Sequence, residues 1–425
     1  MRLDPQGIYG TRSARRQGQL RCRRQLQNGI LGAIGALGAG FVLRWGLQPR
    51  HSALAASQTL QLPFRPAGAP LAAGDSELLF TSQSGGLWRA STGENALAEA
   101  PRRFFRADFA PAAAPLATPT QIFWPGGDGV LVALDAASGK AAWRASLPSA
   151  LVARPALVQV DARMVVVAGD DAGNIAAFDA ATGVLRWKKS LGGALGAGIG
   201  VLKAPASVGA PQSLGDGVLV PLLAGATSRG GLVCLDARTG ATRWSFPGDA
   251  SLQSAGIALP ASLKGRVFWC NDEGAVVCLD GATGRKIWKS FAAPLGLAVG
   301  TSVDSPRDDL VMLRGAPTLV EAASVVVVGG NDGILRAFDL ATGAPRWTQA
   351  LGGAVRFAAQ KLVFGGKNAL LVTAEVPAIW VLDAGDGTIL RRWTTRYPNS
   401  YGVALTAKNA FALDADGHLQ VAPLQ

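Results

Sequence analysis

One segment of sequence recurs along this 425-residue chain and constrains its fold more than any other feature. Each copy begins at a glycine, alternates apolar with small or polar residues up to an aspartate, and continues as Asp-x-x-Thr/Ser-Gly to a tryptophan four residues later. The near-complete copies are Gly129–Trp143, Gly173–Trp187, Gly230–Trp244, Gly274–Trp288 and Gly333–Trp347. So regular a series predicts one structural unit used many times.

Two looser copies extend the series. The earlier one starts at Gly86 and carries Arg89 in place of the aspartate and Leu97 in place of the tryptophan. The later one starts at Ala378, with Asp386 in place of the threonine and Trp393 two positions late.

Each copy predicts an antiparallel hairpin. The alternating first half is typical of a strand. In the Asp-x-x-Thr/Ser-Gly turn, the aspartate accepts backbone N–H groups and the glycine supplies a positive φ. A second strand then carries the tryptophan at a fixed place.

The spacing of the copies predicts a β-propeller. Gly129 and Gly173 are 44 residues apart, as are Gly230 and Gly274, whereas the intervals 173–230 and 274–333 are 57 and 59 residues because of insertions. A period in the forties with strand signals only predicts four-stranded antiparallel blades. We expect an all-β, eight-bladed propeller, with seven blades as the alternative because the first and last repeats are the weakest.

The two ends of the repeat region complement each other. The C-terminal NAFALDADGHLQVAPLQ supplies a hairpin around Asp416 and Gly417 but lacks an outermost strand, and residues 58–64 form a strand signal with no repeat before it. We expect this N-terminal strand to complete the final blade and close the ring, which removes exposed sheet edges. Apolar runs ahead of the motifs predict inner strands at Met164–Ala168, Gly217–Leu222, Arg266–Cys270, Val325–Gly329 and Ala369–Thr373.

The copies resemble the tryptophan-docking repeat of quinoprotein-type (PQQ-like) β-propellers, over roughly residues 75–425. In that family the repeat joins the two outer strands of a blade, and its tryptophan packs against a neighbouring blade. The resemblance therefore implies a structural role for Trp143 and its counterparts. It predicts the fold strongly and the function weakly.

Two branches of that family imply different functions. Quinoprotein dehydrogenases bind PQQ and calcium in the ring centre and carry a catalytic aspartate and an adjacent-cysteine disulfide. This chain has no adjacent cysteine pair, and no position matches the calcium ligands or the catalytic base. We therefore expect no catalytic, cofactor-binding or metal-binding residues. The other branch, the BamB-like outer-membrane assembly propellers, is similar in body size, exported and non-catalytic, although this chain lacks its lipobox cysteine.

Residues 1–57 read as an export signal or an N-terminal membrane anchor, and residues 58–425 as one propeller domain. Arg23 and Arg24 precede a weakly hydrophobic core, Gly29–Leu43, as in a twin-arginine signal, and Ala53-Leu54-Ala55 offers a cleavage site. The apolar run of about 15 residues is short for a spanning helix, which needs about 20, but an uncleaved anchor to the inner membrane through residues 29–43 remains the alternative. An Arg-rich organellar transit peptide is another.

Charge and residue types exclude several function classes. The net charge is +12, but residues 1–57 contain nine Arg and one acid, whereas the remainder has 32 basic and 28 acidic residues. A nearly balanced body argues against charge-driven nucleic-acid binding.

Beyond the leader His418 is the single histidine, which argues against a Ser-His-Asp triad or a histidine metal site. Among the cysteines we expect buried thiols, with a Cys270–Cys278 disulfide left open.

Several other features have both a structural and a functional interpretation. The Asp- and Asn-rich turns ahead of each motif could suggest calcium, but hairpin chemistry accounts for them. Trp124 and Trp269 end inner strands and either pack in the core or line one ring face. The segments Pro101–Phe109 and Arg391–Tyr397 mix arginine with aromatics, as single-strand binders do, yet we expect them on outermost strands that carry solvated charge.

We expect function to reside in loops. Two insertions, Leu191–Asp216 and Ala292–Thr318, exceed the structural minimum and are the first places to look for a partner. The sequence favours a periplasmic, non-enzymatic, monomeric propeller that acts as a protein-binding scaffold for another envelope protein, without nucleic acid. The alternatives are a PQQ-dependent oxidoreductase and the ligand-sensing ectodomain of a membrane-anchored protein.

Overall fold

The computed structural model describes residues 54–55, 58–93, 97–195, 198–203, 216–224, 229–247, 260–271, 274–292, 311–313 and 315–424. The predicted leader therefore lies outside the described residues, apart from Leu54 and Ala55, which form the short strand β1 (Leu54–Ala55). Within the described residues, no helix is long and apolar enough to span a membrane.

The described residues form eight sheets, the blades of a propeller, each built on four antiparallel strands; the sheet of blade 7 has one additional strand, β1. From the innermost strand outward, blades 1 to 4 are β3 (Leu71–Ala72), β4 (Glu77–Thr81), β5 (Gly86–Ser91), β6 (Arg102–Arg106); β7 (Leu116–Ala117), β8 (Gln121–Pro125), β9 (Val130–Asp135), β10 (Ala141–Ser146); β11 (Ala156–Val160), β12 (Arg163–Gly169), β13 (Asn174–Asp179), β14 (Leu185–Ser190); and β15 (Gly200–Leu202), β16 (Gly217–Ala224), β17 (Arg229–Asp236), β18 (Thr242–Pro247).

Blades 5 to 8 follow the same order. They are β19 (Ala261–Leu263), β20 (Arg266–Cys270), β21 (Ala275–Asp280), β22 (Lys286–Phe291); β23 (Thr318–Val320), β24 (Val325–Gly329), β25 (Ile334–Asp339), β26 (Pro345–Ala350); β27 (Gln360–Phe364), β28 (Lys367–Thr373), β29 (Ala378–Asp383), β30 (Ile389–Thr394); and β31 (Ala404–Leu405), β32 (Asn409–Leu413), β33 (His418–Pro423), β2 (Gln58–Gln61). A 3-10 turn, Glu321–Ala323, links β23 to β24. The predicted eight-bladed architecture is confirmed.

The N-terminal strand closes the ring, as the sequence predicts. Strand β2 pairs antiparallel with β33, with Leu60 opposite Leu419, and thereby becomes the outermost strand of blade 8. The N–H of Leu62 also donates to the carbonyl of Gly417 at 2.8 Å. Because the two ends of the chain share one sheet, the ring is held together by a ladder of backbone hydrogen bonds rather than by side-chain contacts alone.

The motif hairpins form the third and fourth strands of each blade, and the apolar runs ahead of them form the second strands. The short innermost strands, which the repeat pattern did not reveal, lie against one another around the axis. Blade 3 shows why second strands are so apolar. Val165 and Val167 pack in the layer shared with blade 4, whereas Val166 and Ala168 pack in the layer shared with blade 2. Both faces of such a strand are buried, so alternation with polar residues is lost.

The structure revises the two predicted insertions. Leu191–Asp216 contains the innermost strand β15, so it is a connector followed by a strand and a second loop rather than one long loop. At the end of Ala292–Thr318, Val311 and Leu313 are buried in the blade 5–blade 6 layer, and the N–H of Leu313 donates to the carbonyl of Asn271. Residues 196–197, 204–215, 293–310 and 314 lie outside the described residues.

Strand β1 adds a fifth strand to blade 7. It pairs in parallel with β30, with Leu54 opposite Trp393 and Ala55 opposite Thr394. This pairing involves two of the three residues in which the sequence predicts leader cleavage.

Candidate functional site

The end of the ring that carries the connectors between blades is the candidate interaction surface. Six connectors, each from an outermost strand to the next innermost strand, have nine residues: 62–70, 107–115, 147–155, 191–199, 351–359 and 395–403. They start alike, since the N–H groups of Leu147, Leu191 and Leu351 donate to the carbonyls of Gly129, Gly173 and Gly333 at 3.0, 2.9 and 2.8 Å. This shared anchoring gives the ring end a regular, rigid frame.

Two connectors depart from this length, and both adjoin blade 5. Residues 248–260 precede its innermost strand β19, and residues 292–317 follow its outermost strand β22. Connectors of this kind all lie at the same end of the ring, because the strands of each blade alternate in direction. The remaining long loop, residues 203–216, joins β15 to β16 and so belongs to the opposite end. The described ends of the two extended connectors, Pro260 and Ala292, therefore lie beside blade 5 at the same end of the ring.

The axial side contains a cavity of about 620 Å³. The innermost strands β19, β23 and β27 line it, together with the segment 317–322 and Asn368. Its charged lining residues are Glu321 and Lys361, and Glu321 forms an ion pair with Lys264. This lining is mixed in polarity and has no concentration of acidic oxygens.

The docking tryptophans join neighbouring blades. Their indole N–H groups donate to the carbonyl that follows the motif aspartate of the next blade, in the pairs Trp143–Ala180, Trp187–Ala237, Trp244–Gly281, Trp288–Leu340 and Trp347–Ala384, at 2.9, 2.8, 2.8, 3.2 and 3.1 Å. Each ring also covers the motif glycine of that next blade; a Cβ at Gly284 would lie 2.7 Å from Cδ2 of Trp244. These five side chains are structural.

Blade 1 divides the docking role between two residues that the repeat pattern did not identify. Phe104 packs on Gly139 of blade 2, where a Cβ would approach the Phe104 ring to 3.2 Å. Arg89 donates to the carbonyl of Ala136 at 3.2 Å and lies 5.1 Å from the Phe104 ring centroid. Arg89, which stands where other copies have aspartate, thus supplies the donor, and Phe104 supplies the ring. An arginine at a degenerate motif position was the available sequence signal.

The remaining singled-out aromatic and histidine side chains are buried or half-buried packing residues. Trp124 and Trp269 are 0% and 2% exposed, so they belong to the core and do not line a ring face. His418 stacks on Tyr397 with ring centroids 3.8 Å apart, and its Nδ1 lies 2.6 Å from Oδ2 of Asp414. These contacts assign packing roles to all three residues.

The described cysteines are buried free thiols. Burial raises the pKa of Cys234 to about 12 and that of Cys278 to about 11. Cys270 faces Val276 across the hairpin, and Cys278 faces Phe268. The two cysteines are therefore diagonal neighbours, at a separation of about 7–8 Å that exceeds the reach of a disulfide.

The turns ahead of the motifs use their carboxylates locally. Oδ1 of Asp170 accepts the N–H of Asn174 at 2.7 Å, and Oδ1 of Asp128 accepts the N–H of Val130 at 3.0 Å. Across the described residues, no group of three or more His, Cys, Asp or Glu side chains could hold a metal ion. The arrangement favours turn formation over cation binding.

The two arginine–aromatic segments lie on outermost strands, as the sequence predicts, except at their ends: Pro101 precedes the strand, and residues 107–109 and 395–397 belong to the connectors that follow. Arg102–Arg106 is the outermost strand of blade 1, and Ile389–Thr394, which contains Arg391 and Arg392, is the outermost strand of blade 7.

Comparison with known proteins identifies the family. Residues 44–199 and 204–422 match a family model described as outer membrane protein assembly factor BamB. BamB of Vibrio cholerae serotype O1 is 33% identical over 122 residues, a stretch that covers 28% of this chain and only 30% of that relative.

Solved structures agree on the fold. BamB from Moraxella catarrhalis superposes with a TM-score of 0.59 at 19% identity and covers 87% of this chain and 99% of its own. Quinohemoprotein alcohol dehydrogenase from Comamonas testosteroni has a TM-score of 0.56 at 12% identity and covers 86% and 76%. At these identities both likenesses concern the fold alone. Since the family match spans nearly all eight blades, this chain belongs to the family of BamB-type PQQ-like β-propellers.

Proposed function

We propose that this chain is an exported, non-catalytic scaffold that binds a protein of the outer-membrane assembly machinery. The observation that carries the proposal is the family match over residues 44–199 and 204–422. The name of that family describes an assembly factor rather than an enzyme. The partner and the details of assembly are part of the proposal, because the curated relative is matched over less than a third of its length.

The ring end that bears the connectors suits this role. In most preorganised complexes the interface backbone moves little on binding, and six connectors share the same nine-residue length. The extended connectors 248–260 and 292–317 adjoin the strands of blade 5 in sequence and are longer than the other six. We place the partner contact there.

The cavity lining supports a non-catalytic role. A calcium-bound quinone would require several oxygen ligands for the cation, whereas the lining offers the single carboxylate of Glu321, already paired with Lys264. The donor set of this cavity therefore does not fit that cofactor pair. The test is a titration of the full chain with PQQ and calcium, followed by tryptophan fluorescence and a dye-linked alcohol oxidation assay. Saturable binding with turnover would replace the scaffold by an oxidoreductase.

Photo-cross-linking in living bacteria tests the partner contact. A photoreactive residue at Gln253 or Arg307 samples the two extended connectors. The matched control position, Ala162, lies in the exposed turn between β11 and β12, at the opposite end of the ring. We expect an outer-membrane assembly protein to be captured from the first two positions and not from the control. Capture at Ala162 alone would move the contact to the other end, and capture of no such protein would contradict the scaffold function.

Export is the second component of the proposal. Replacing Arg23 and Arg24 by lysine should keep the protein in the cytoplasm if a twin-arginine signal directs it. Fractionation of cells that express the full chain, with and without these substitutions, gives the answer. Unchanged fractionation would contradict this route. Recovery of the unsubstituted protein in the inner membrane would favour the anchored alternative.

A further inference from the structure

The outermost strands of the eight blades form a rim with charge of one sign. Their sequences are RRFFR, AAWRAS, LRWKKS, TRWSFP, KIWKSF, PRWTQA, ILRRWT and QTLQ. Seven of these described strands carry lysine or arginine, and none carries aspartate or glutamate. The body of the chain is nearly balanced in charge, so the fold itself separates the basic side chains onto the rim.

Some rim charges are already neutralised by the motif aspartates. Arg186, for example, donates to Oδ2 of Asp179 at 2.6 Å, and Arg243 donates to Oδ2 of Asp236 at 2.6 Å. On β30 of blade 7, Arg391 and Arg392 have no ion-pair partner among the described residues, and the same holds for Arg103 and Arg106 on β6 of blade 1. Blade 7 therefore presents two uncompensated positive charges on its rim strand.

Aromatic rings hold these two guanidinium groups in place. Arg391 lies 5.2 Å from the ring centroid of Phe364 and 5.6 Å from that of Trp393. Arg392 lies 5.9 Å from the ring centroid of Trp380. Cation–π contacts position a charge without neutralising it. The pair is therefore preorganised for anionic groups.

The repeat explains why an arginine occupies the docking position on blade 7. Arg391 stands four residues after Gly387, at the position that holds the docking tryptophan in other copies. A docking tryptophan needs the motif turn of the next blade, but in blade 8 the third strand β33 and the fourth strand β2 are the two ends of the propeller and have no such turn between them. The docking position is thus released from its structural role on this blade.

The same strand accepts a further strand. In the structure β1 pairs in parallel with the last two residues of β30, Trp393 and Thr394, and no other strand of the described part of the chain lies along this edge at residues 389–392. A sheet edge presents backbone N–H and C=O groups that pair readily with another extended chain. Blade 7 therefore combines a strand-accepting edge with preorganised positive charge.

We propose that the outer edge of blade 7 binds an extended acidic segment of a partner protein, which adds to β30 as a strand in place of β1. Main-chain hydrogen bonds to β30 supply affinity, and carboxylates opposite Arg391 and Arg392 supply selectivity. Since these two arginines are successive residues of a strand, they point to opposite faces of the sheet, and a segment with two successive acidic residues meets both. This docking edge is separate from the connector surface beside blade 5.

A labelled peptide tests the charge requirement. The probe is the fluorescein-labelled decapeptide TVTVEEVTVT, and TVTVKKVTVT is its charge-reversed control; β-branched residues keep both extended. Fluorescence anisotropy with the full chain should show saturable binding of the acidic peptide. Both the basic peptide and the variant Arg391→Glu/Arg392→Glu should bind about tenfold more weakly.

A matched variant separates this edge from the rest of the rim. Arg144→Glu/Lys188→Glu reverses two exposed rim charges on blades 2 and 3 and should leave peptide affinity unchanged. Equal weakening by this control, or equal binding of the two peptides, would overturn the proposal. Circular dichroism checks folding, and Arg391→Gln/Arg392→Gln replaces the reversal variant if that one does not fold.

Strand addition has its own measurement. The variant Leu54→Pro/Ala55→Pro removes the N–H groups of β1, so it should bind the acidic peptide more tightly, because a competing strand is lost. Hydrogen exchange of the amides of residues 389–394 should slow when the peptide binds. Unchanged exchange would overturn strand addition. Charge-dependent binding to phosphatidylglycerol vesicles without peptide binding would overturn the protein partner in favour of a membrane surface.

Discussion

At the scale of single residues, the contacts between blades depend on glycines as much as on the tryptophans that cover them. Gly183, Gly240, Gly284, Gly343 and Gly387 have positive φ and lie directly under the docking tryptophan of the preceding blade. The glycine of Asp-x-x-Thr/Ser-Gly thus serves both the turn and the contact between blades. The sequence identifies the first use, and the second becomes visible only when the blades are assembled.

Gly284→Ala tests the contact between blades. A Cβ there would lie 2.7 Å from Trp244, in addition to the cost of a positive φ of 70°. We expect a loss of about 2–4 kcal/mol of unfolding free energy, from backbone strain together with overpacking, measured by urea denaturation. Gly352→Ala is the control, because its φ is 89° but no atom lies within 4 Å of its Cβ position. Equal losses would assign the whole effect to the backbone.

Arg89→Met tests the divided docking of blade 1. Methionine keeps the apolar stem but cannot donate to the carbonyl of Ala136 or pair with Glu77, which Arg89 contacts at 2.6 Å. We expect the free energy of unfolding to fall by about 1–3 kcal/mol, because the carbonyl of Ala136 and the carboxylate of Glu77 lose their hydrogen-bond partner. Arg144→Met, at an exposed rim position, should change stability by less than about 0.5 kcal/mol. Thermal unfolding of both variants gives the comparison, and an unaffected Arg89→Met would show that Phe104 docks alone.

At the scale of the element, the motif turn couples the hairpin to pH. The pKa values of Asp135, Asp179, Asp236, Asp280, Asp339 and Asp383 all lie below the usual aspartate value. At Asp280 the hydroxyl of Thr283 is the main cause, burial opposes it, and the N–H of Thr283 adds to the lowering of the pKa. The same small turn therefore recurs as an acid-sensitive unit around the ring.

Asp280→Asn tests this coupling. A folded-state pKa below the unfolded value of about 3.9 means that the ionised carboxylate stabilises the fold fully above about pH 4. This contribution is lost as the pH falls through the folded pKa. We therefore expect the variant to be less stable than the parent at pH 7 and for the difference to shrink at pH 3, in urea titrations at both values. A difference independent of pH would contradict a role for the charge.

At the scale of the whole molecule, one short strand joins the two ends of the chain. Strand β2 supplies the outermost strand of blade 8, and Leu60 packs in the cluster formed by blades 8 and 1. Strand β1, only two residues upstream, contributes to no blade's four-stranded set. The two strands are therefore neighbours in sequence with different structural importance.

Thr59→Pro/Leu60→Pro tests closure. The N–H groups of successive strand residues point to opposite edges of the strand, so the N–H of either Thr59 or Leu60 faces β33. Proline at both positions therefore removes the N–H that faces β33. We expect the free energy of unfolding to fall by about 2 kcal/mol or more, because a carbonyl of β33 loses its hydrogen-bond donor. We also expect faster cleavage in limited proteolysis. Leu54→Pro/Ala55→Pro is the control and should unfold like the parent. If both variants behave alike, β2 does not close the ring.

The sequence by itself determined the blade, because the blade is encoded locally by period-two alternation, a turn that needs aspartate and glycine, and a fixed repeat length. It predicted eight blades with seven as the alternative, and it predicted closure from the missing outermost strand of the last repeat; the structure confirms both predictions. The sequence also placed Pro101–Phe109 and Arg391–Tyr397 on outermost strands, which holds for residues 102–106 and 391–394. The innermost strands escaped prediction since some are only two residues long, and a strand that short has no detectable period.

Only the tertiary structure decided the features that depend on residues far apart in the chain. It brought Arg89 and Phe104 of blade 1 together onto the motif turn of blade 2, and it separated basic rim strands from the acidic turns of a nearly neutral body. The composition gives the number of charged residues but not their positions in the fold. Local sequence patterns likewise do not determine which residues of neighbouring blades come into contact. Contacts between blades arise when the ring closes, and with them the surfaces that a partner can bind.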